Sequence, residues 1–66
     1  MTIFVNGAAQ EMPENSTVQQ LLVHLVCADR RVAVELNHEI IPRSNYATHR
    51  LANGDSVEVV QAIGGG

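Results

Sequence analysis

A chain of 66 residues and 7.1 kDa holds one small domain, and its core has no volume to spare for the roughly 300 Å³ pocket of a self-contained enzyme. Four Lys and Arg against seven Asp and Glu give a net charge of −3, and Phe4 and Tyr46 are the aromatic residues, so the chain lacks the basic face and stacking platforms of a nucleic-acid binder and no nucleic acid is expected as partner. No apolar run approaches the ~18 residues of a membrane-spanning helix, and Met1-Thr2-Ile3-Phe4-Val5-Asn6 has neither the basic nor the apolar region of a signal peptide, so the expectation is a cytoplasmic protein with no membrane partner.

Thr2-Ile3-Phe4-Val5 is β-branched and aromatic and predicts a strand. Asn6-Gly7 follows, and both residue types tolerate the positive φ of a type I′ hairpin turn. Ala8 to Met12 is then the return strand, ended by Pro13, and Pro13-Glu14-Asn15 reads as a turn. Ser16 opens a helix, because Ser16 and Gln19 have the spacing of a capping box. Val18, Leu21, Leu22 and Leu25 recur at helical spacing and form one stripe about 100° wide. Gln20, His24 and Cys27 lie opposite, and the helix is expected to stop near Ala28 or Asp29.

Val32-Ala33-Val34-Glu35-Leu36 alternates, with Val32, Val34 and Leu36 on one face. Asn37-His38 makes a turn, and Glu39-Ile40-Ile41 is a short strand stopped by Pro42. Arg43 to His49 shows no period, with room for one helical turn around Tyr46. Asn53-Gly54-Asp55 is another tight turn, Ser56 to Ile63 the last strand, and Gly64-Gly65-Gly66 follows.

One amphipathic helix has one stripe to bury, and a sheet with one apolar face meets that need. The expected fold class is α+β: a ubiquitin-like β-grasp, with a mixed sheet of four or five strands wrapped around one main helix. The first and last strands become parallel neighbours, because the helix supplies the crossover between them. Residues 1–63 are assigned to this domain and 64–66 to a flexible glycine tail.

Strand alternation turns Val57 and Val59 toward the helix, and it turns Val60 and Ala62 away. The same alternation turns Ile3 and Val5 in and Phe4 out. Phe4, Val60 and Ala62 therefore form a candidate partner surface leading toward the glycine tail. Three glycines make a thread of backbone width that spans roughly 10–12 Å when extended. Such a thread carries its carboxylate into a narrow channel of another protein. The carboxylate is ionised at neutral pH and unreactive until activated, for example as an acyl-adenylate. A persulfide sulfur or an amine then displaces AMP. By itself, a glycine end is also what a frayed terminus or a cloning scar looks like.

Several blocks together carry a family likeness. Val5-Asn6-Gly7, Ser16-Thr17-Val18 with Leu21-Leu22, Val32-Ala33-Val34-Glu35-Leu36-Asn37 before Ile41-Pro42-Arg43, Leu51-x-x-Gly54-Asp55-x-Val57-Glu58, and Gly65-Gly66 occur in order over nearly the whole chain. In this the chain resembles the ThiS family of thiamine-biosynthesis sulfur carriers, ubiquitin-like β-grasp proteins. The resemblance implies a protein co-substrate rather than an enzyme. Gly66 would be adenylated by a ThiF-like adenylyltransferase, then converted to a thiocarboxylate with sulfur from a cysteine desulfurase. The thiocarboxylate would deliver sulfur to a ThiG-like thiazole synthase. Gly64 and Gly65 would thread into the partner. No cofactor is expected to be bound, since ATP is used by the activating partner. Many family members end in a diglycine after a bulkier residue, whereas this chain has a third glycine at Gly64. A molybdopterin-type sulfur carrier, a ubiquitin-like protein modifier and a plain interaction module are the alternatives.

The remaining reactive side chains are assigned ordinary roles. Cys27 is a single thiol, which rules out an internal disulfide, and is taken as incidental. His24, His38 and His49 share no ligand spacing and are expected on the surface, with no metal site. Arg43 and Arg50 are expected to pair locally with acidic side chains, the alternative being contact with the partner. Glu35, Glu39 and Glu58 are expected at solvated strand positions, where an acidic rim would steer a basic partner.

Overall fold

The computed structural model describes residues 1–25 and 31–61. Cys27, Ala28, Asp29, Ala62, Ile63 and Gly64 to Gly66 lie outside them, and with them the expectations placed on those residues. In chain order the elements are β1 (Thr2–Val5), β2 (Ala8–Glu11), α1 (Val18–His24), β3 (Val32–Leu36), β4 (Glu39–Ile41) and β5 (Ser56–Gln61), with a short 3-10 turn at Arg43–Asn45 before β5. The strands form one sheet in the order β2-β1-β5-β3-β4. β1 and β5 run parallel, and every other pair is antiparallel. This is the mixed sheet with one helix that the patterning predicts. The strand that comes after the other four in sequence occupies its centre.

Both hairpins turn on asparagine. Asn6 and Gly7 sit at φ 51° and 85°, and Asn37 and His38 at 51° and 71°. Two consecutive positive φ values give the type I′ twist that lets short antiparallel strands pair without splaying. His38 holds the second position although it carries a Cβ.

The helix starts one residue later than the sequence pattern first suggests. Thr17, not Ser16, is the N-cap, with φ −94° and ψ 167°. Its hydroxyl accepts from the Gln20 N–H at 3.2 Å, and the Gln20 side chain accepts from the Thr17 N–H at 2.8 Å. The reason is a competing bond. The buried Ser16 hydroxyl donates instead to the Pro13 carbonyl at 2.7 Å, closing the turn before the helix. α1 is described to His24, with Leu25 at its C-cap.

The segment without a period has a structural task. Its carbonyls serve the open N-terminal end of α1, whose first N–H groups have no partner inside the helix. The Val18 N–H donates to the His49 carbonyl at 3.0 Å, and the Gln19 N–H donates to the Tyr46 carbonyl at 2.9 Å. The Leu51 N–H reaches the Ser16 carbonyl at 2.8 Å. Tyr46 is itself buried, which fixes the 3-10 turn against the core.

One hydrophobic cluster joins sheet and helix: Ile3 and Val5 of β1, Met12, Val18, Leu21 and Leu22 of α1, Val34 and Leu36 of β3, Ile41 of β4, Tyr46, Leu51, and Val57 of β5. The sequence pattern ends the second strand at Met12; in the structure Met12 follows β2, with its side chain in the core. Leu25, Val32 and Val59 pack at the margin. The helix stripe and the inward faces of β1, β3 and β5 are those that the alternation assigns.

Candidate functional site

The helix covers one face of the sheet. No described element covers the other face, and its residues follow from register. Phe4 stands opposite Ala9 on β2 and Ser56 on β5. Glu58 stands opposite Glu35, and Glu35 opposite Ile40 on β4. Val60 stands opposite Ala33. Three large apolar side chains are exposed here: Phe4 at 43%, Val60 at 56% and Ile40 at 75%.

Phe4 and Val60 therefore share the outer face but do not touch one another across the β1–β5 pair. Val60 lies four positions beyond the Ser56 level of Phe4, about 13 Å at ~3.3 Å per residue. The row holding Glu35 and Glu58 lies between them. Ala62 is outside the described residues. Ile40 was not among the residues singled out from the sequence. The signal was present, since Ile41 is buried and strand alternation puts Ile40 on the opposite side.

The end of β5 leads to the glycine tail, and side chains from the two hairpin turns hold that strand. β1 ends at Val5, but the ladder to β5 continues: the Asn6 N–H donates to the Val57 carbonyl at 2.9 Å. The Asn6 side chain then takes over. Its Oδ1 accepts from the Val59 N–H at 2.9 Å, and its Nδ2 donates to the Val59 carbonyl at 3.1 Å. At the other end, Asn37 holds Ser56 with one side-chain and one backbone bond. The Ser56 N–H donates to Asn37 Oδ1 at 3.0 Å, and the Asn37 N–H donates to the Ser56 carbonyl at 2.8 Å. Asp55 steadies this second clamp, accepting from Asn37 Nδ2 at 3.1 Å and from the Ala52 N–H at 2.7 Å. From the sequence, both asparagines are legible only as turn formers.

His24 and His38 are exposed, and His49 is half-buried. Among the described residues no group of His, Cys, Asp and Glu is placed to hold a metal ion. The local ion pairs expected of Arg43 and Arg50 are not formed with any described residue. The one ion pair among the described residues joins the N-terminal ammonium to Glu14 at 3.9 Å. Both arginines are exposed, and Arg50 meets Thr17 through an isolated backbone bridge instead. Glu39 and Glu58 are exposed and Glu35 is half-buried. No helix among the described residues is long and apolar enough to cross a membrane.

Comparison with known proteins gives a consistent picture. The sulfur carrier protein ThiS of Escherichia coli is 33% identical over 66 residues, with both chains covered completely. The crystal structure of the thiamine biosynthesis protein ThiS from Geobacter metallireducens superposes with a TM-score of 0.86 at 35% identity, each chain again covered in full. A thiazole synthase of Paramagnetospirillum magneticum is 42% identical over the whole of this chain, which spans 20% of that protein's length. A second, from Magnetococcus marinus, is 38% identical over the same share. The ThiS family model matches residues 3–66. With this coverage, and with a shared β-grasp fold, the chain belongs to the ThiS family of sulfur carrier proteins.

Proposed function

We propose that this chain carries sulfur for thiazole formation in thiamine biosynthesis, as a thiocarboxylate on Gly66. The observation that supports this most directly is the family match running through the terminal glycines, which follow closely on the central strand β5.

The chemistry is carried by the main chain. The Gly66 carboxylate attacks the α-phosphorus of ATP in a ThiF-like adenylyltransferase, and pyrophosphate leaves. A persulfide derived from a cysteine desulfurase then attacks the acyl carbon. The new C–S bond replaces the C–O bond to AMP. A thiol reduces the remaining S–S bond and is itself oxidised to a disulfide, leaving the thiocarboxylate. Its sulfur passes to a ThiG-like thiazole synthase. That two thiazole synthases contain a stretch similar to this whole chain supports this pairing of carrier and synthase. In this reading the protein is a co-substrate. Gly64 and Gly65 enter the partner's channel, and Phe4, Val60 and Ala62 belong to the docking surface.

Intact mass tests the reading. Incubation with ATP, a ThiF-type adenylyltransferase, a cysteine desulfurase, cysteine and a thiol reductant yields a species about 16 Da heavier, from exchange of one oxygen for sulfur. An unchanged mass overturns the carrier role. A covalent conjugate to a lysine of another protein replaces it with the modifier role.

A further inference from the structure

The outer sheet face contains an arrangement that works against the isolated domain. Glu35 and Glu58 stand directly opposite each other on β3 and β5. Like charges in that position are destabilising, because the side chains of a cross-strand pair are neighbours. No described cation offsets them, since the ion pair found among the described residues lies elsewhere, at Met1 and Glu14. Around the two carboxylates stand exposed apolar groups: Phe4 at one end, Val60 beside Ala33 at the other, and Ile40 on the β4 flank.

We propose that this face docks a partner protein that seats an arginine side chain between Glu35 and Glu58, with apolar side chains against Phe4, Val60 and Ile40. A guanidinium presents several N–H donors in one plane and can meet two carboxylates at once. The apolar surround excludes water from the contact, as in the centre of a protein interface. Charge complementarity selects the class of occupant. A net charge of −3 and a central acid pair repel nucleic acid and anionic lipid, and they attract a basic protein surface. The repulsion present in the free domain is relieved when the cation arrives, so the face is poised for a complex. This extends the carrier reading, on which it rests, from Phe4 and Val60 to β3 and β4.

Calorimetric titration against a ThiF-type adenylyltransferase and a ThiG-type thiazole synthase, at low and high salt, tests the proposal alongside urea unfolding. Glu35→Lys sets opposite charges across the strand pair. It is expected to raise the urea midpoint and yet weaken binding to at least one of the two enzymes by about tenfold or more. The double variant Glu35→Gln with Glu58→Gln is expected to raise the urea midpoint by removing the repulsion, to bind more weakly, and to lose much of the salt dependence. Glu39→Gln removes one charge at the sheet edge and is expected to bind as the parent does. Parental affinity of the lysine and double variants for both enzymes overturns the proposal, as does affinity that rises with stability. If the parent gains sulfur while the variants bind unchanged, the surface assignment falls and the carrier role stands. If the parent binds neither enzyme and gains no mass, both fall.

Discussion

The side-chain amide of Asn6 acts toward Val59 as one more residue of β1. It accepts from the Val59 N–H at 2.9 Å and donates to the Val59 carbonyl at 3.1 Å, after the strand itself has turned away at φ 51°. Asn6→Gly keeps the positive φ and deletes the amide. It is expected to lower stability by about 1–2 kcal/mol and to speed hydrogen exchange at Val59 far more than at Ile3. Exchange measured by NMR checks this. Equal acceleration at both sites would mean that the clamp is not local.

The position of the helix cap separates two patterns that look alike in the sequence. Thr17→Ala is expected to reduce stability by about 1 kcal/mol, from loss of the bond to the Gln20 N–H. Gln20→Ala, which removes the reciprocal bond to the Thr17 N–H, is expected to lower the urea midpoint. Gln19→Ala leaves the capping pair in place. A larger loss from Gln19→Ala than from Gln20→Ala would restore Ser16 as the cap.

His38 occupies a backbone conformation that a side chain disfavours. Replacing it with glycine is expected to stabilise the protein by about 0.5–1 kcal/mol, the relief of strain outweighing the added freedom of the unfolded chain. Thermal unfolding reads the effect directly.

Phe4 and Val60 sit on the face that the helix does not cover. Phe4→Ala and Val60→Asp are expected to change the melting temperature little, since exposed substitutions usually stay within about 0.5 kcal/mol. The same variants are expected to weaken binding to the activating enzyme. Leu21→Ala is the contrasting case. Leu21 is fully buried in the helix stripe, and its truncation is expected to cost about 2–5 kcal/mol. In a chain of 66 residues that is much of the total stability.

Deleting Gly66 is expected to abolish the gain of sulfur while the unfolding curve is unchanged, because a glycine has no side chain to add to the core formed by described residues from Ile3 to Val57. A deletion variant that fails to fold would place the tail inside the domain.

Alternation and helical spacing make the strands, the inward faces and the parallel neighbours legible in the sequence. Each inward residue repeats a local rule, so Val34, Leu36 and Val57 are found where period two puts them. The capping box was off by one because Ser16 and Thr17 are chemically alike. The bond from Ser16 to Pro13 and the reciprocal bonds of Thr17 with Gln20 separate them. The clamps at Asn6 and Asn37 were not legible, because their partners Val59 and Ser56 lie 53 and 19 residues away. The opposed pair of Glu35 and Glu58 was hidden for the same reason: it exists only once β3 and β5 are set in register. That Arg43 and Arg50 form no ion pair with a described residue shows that composition supplies charges without saying which ones meet.

The central place of β5 has a consequence for how the protein comes into being. β1 and β3 cannot be joined into one sheet until residues from Ser56 onward have been synthesised. The two hairpins that precede it are marginal alone, and closing them around a late strand makes folding slow for so short a chain. A chain broken off before β5 lacks the strand that joins β1 to β3 and is expected to stay unfolded. Folding thus depends on Ser56–Gln61: chains that reach the native state are those that carry the strand leading to the glycines.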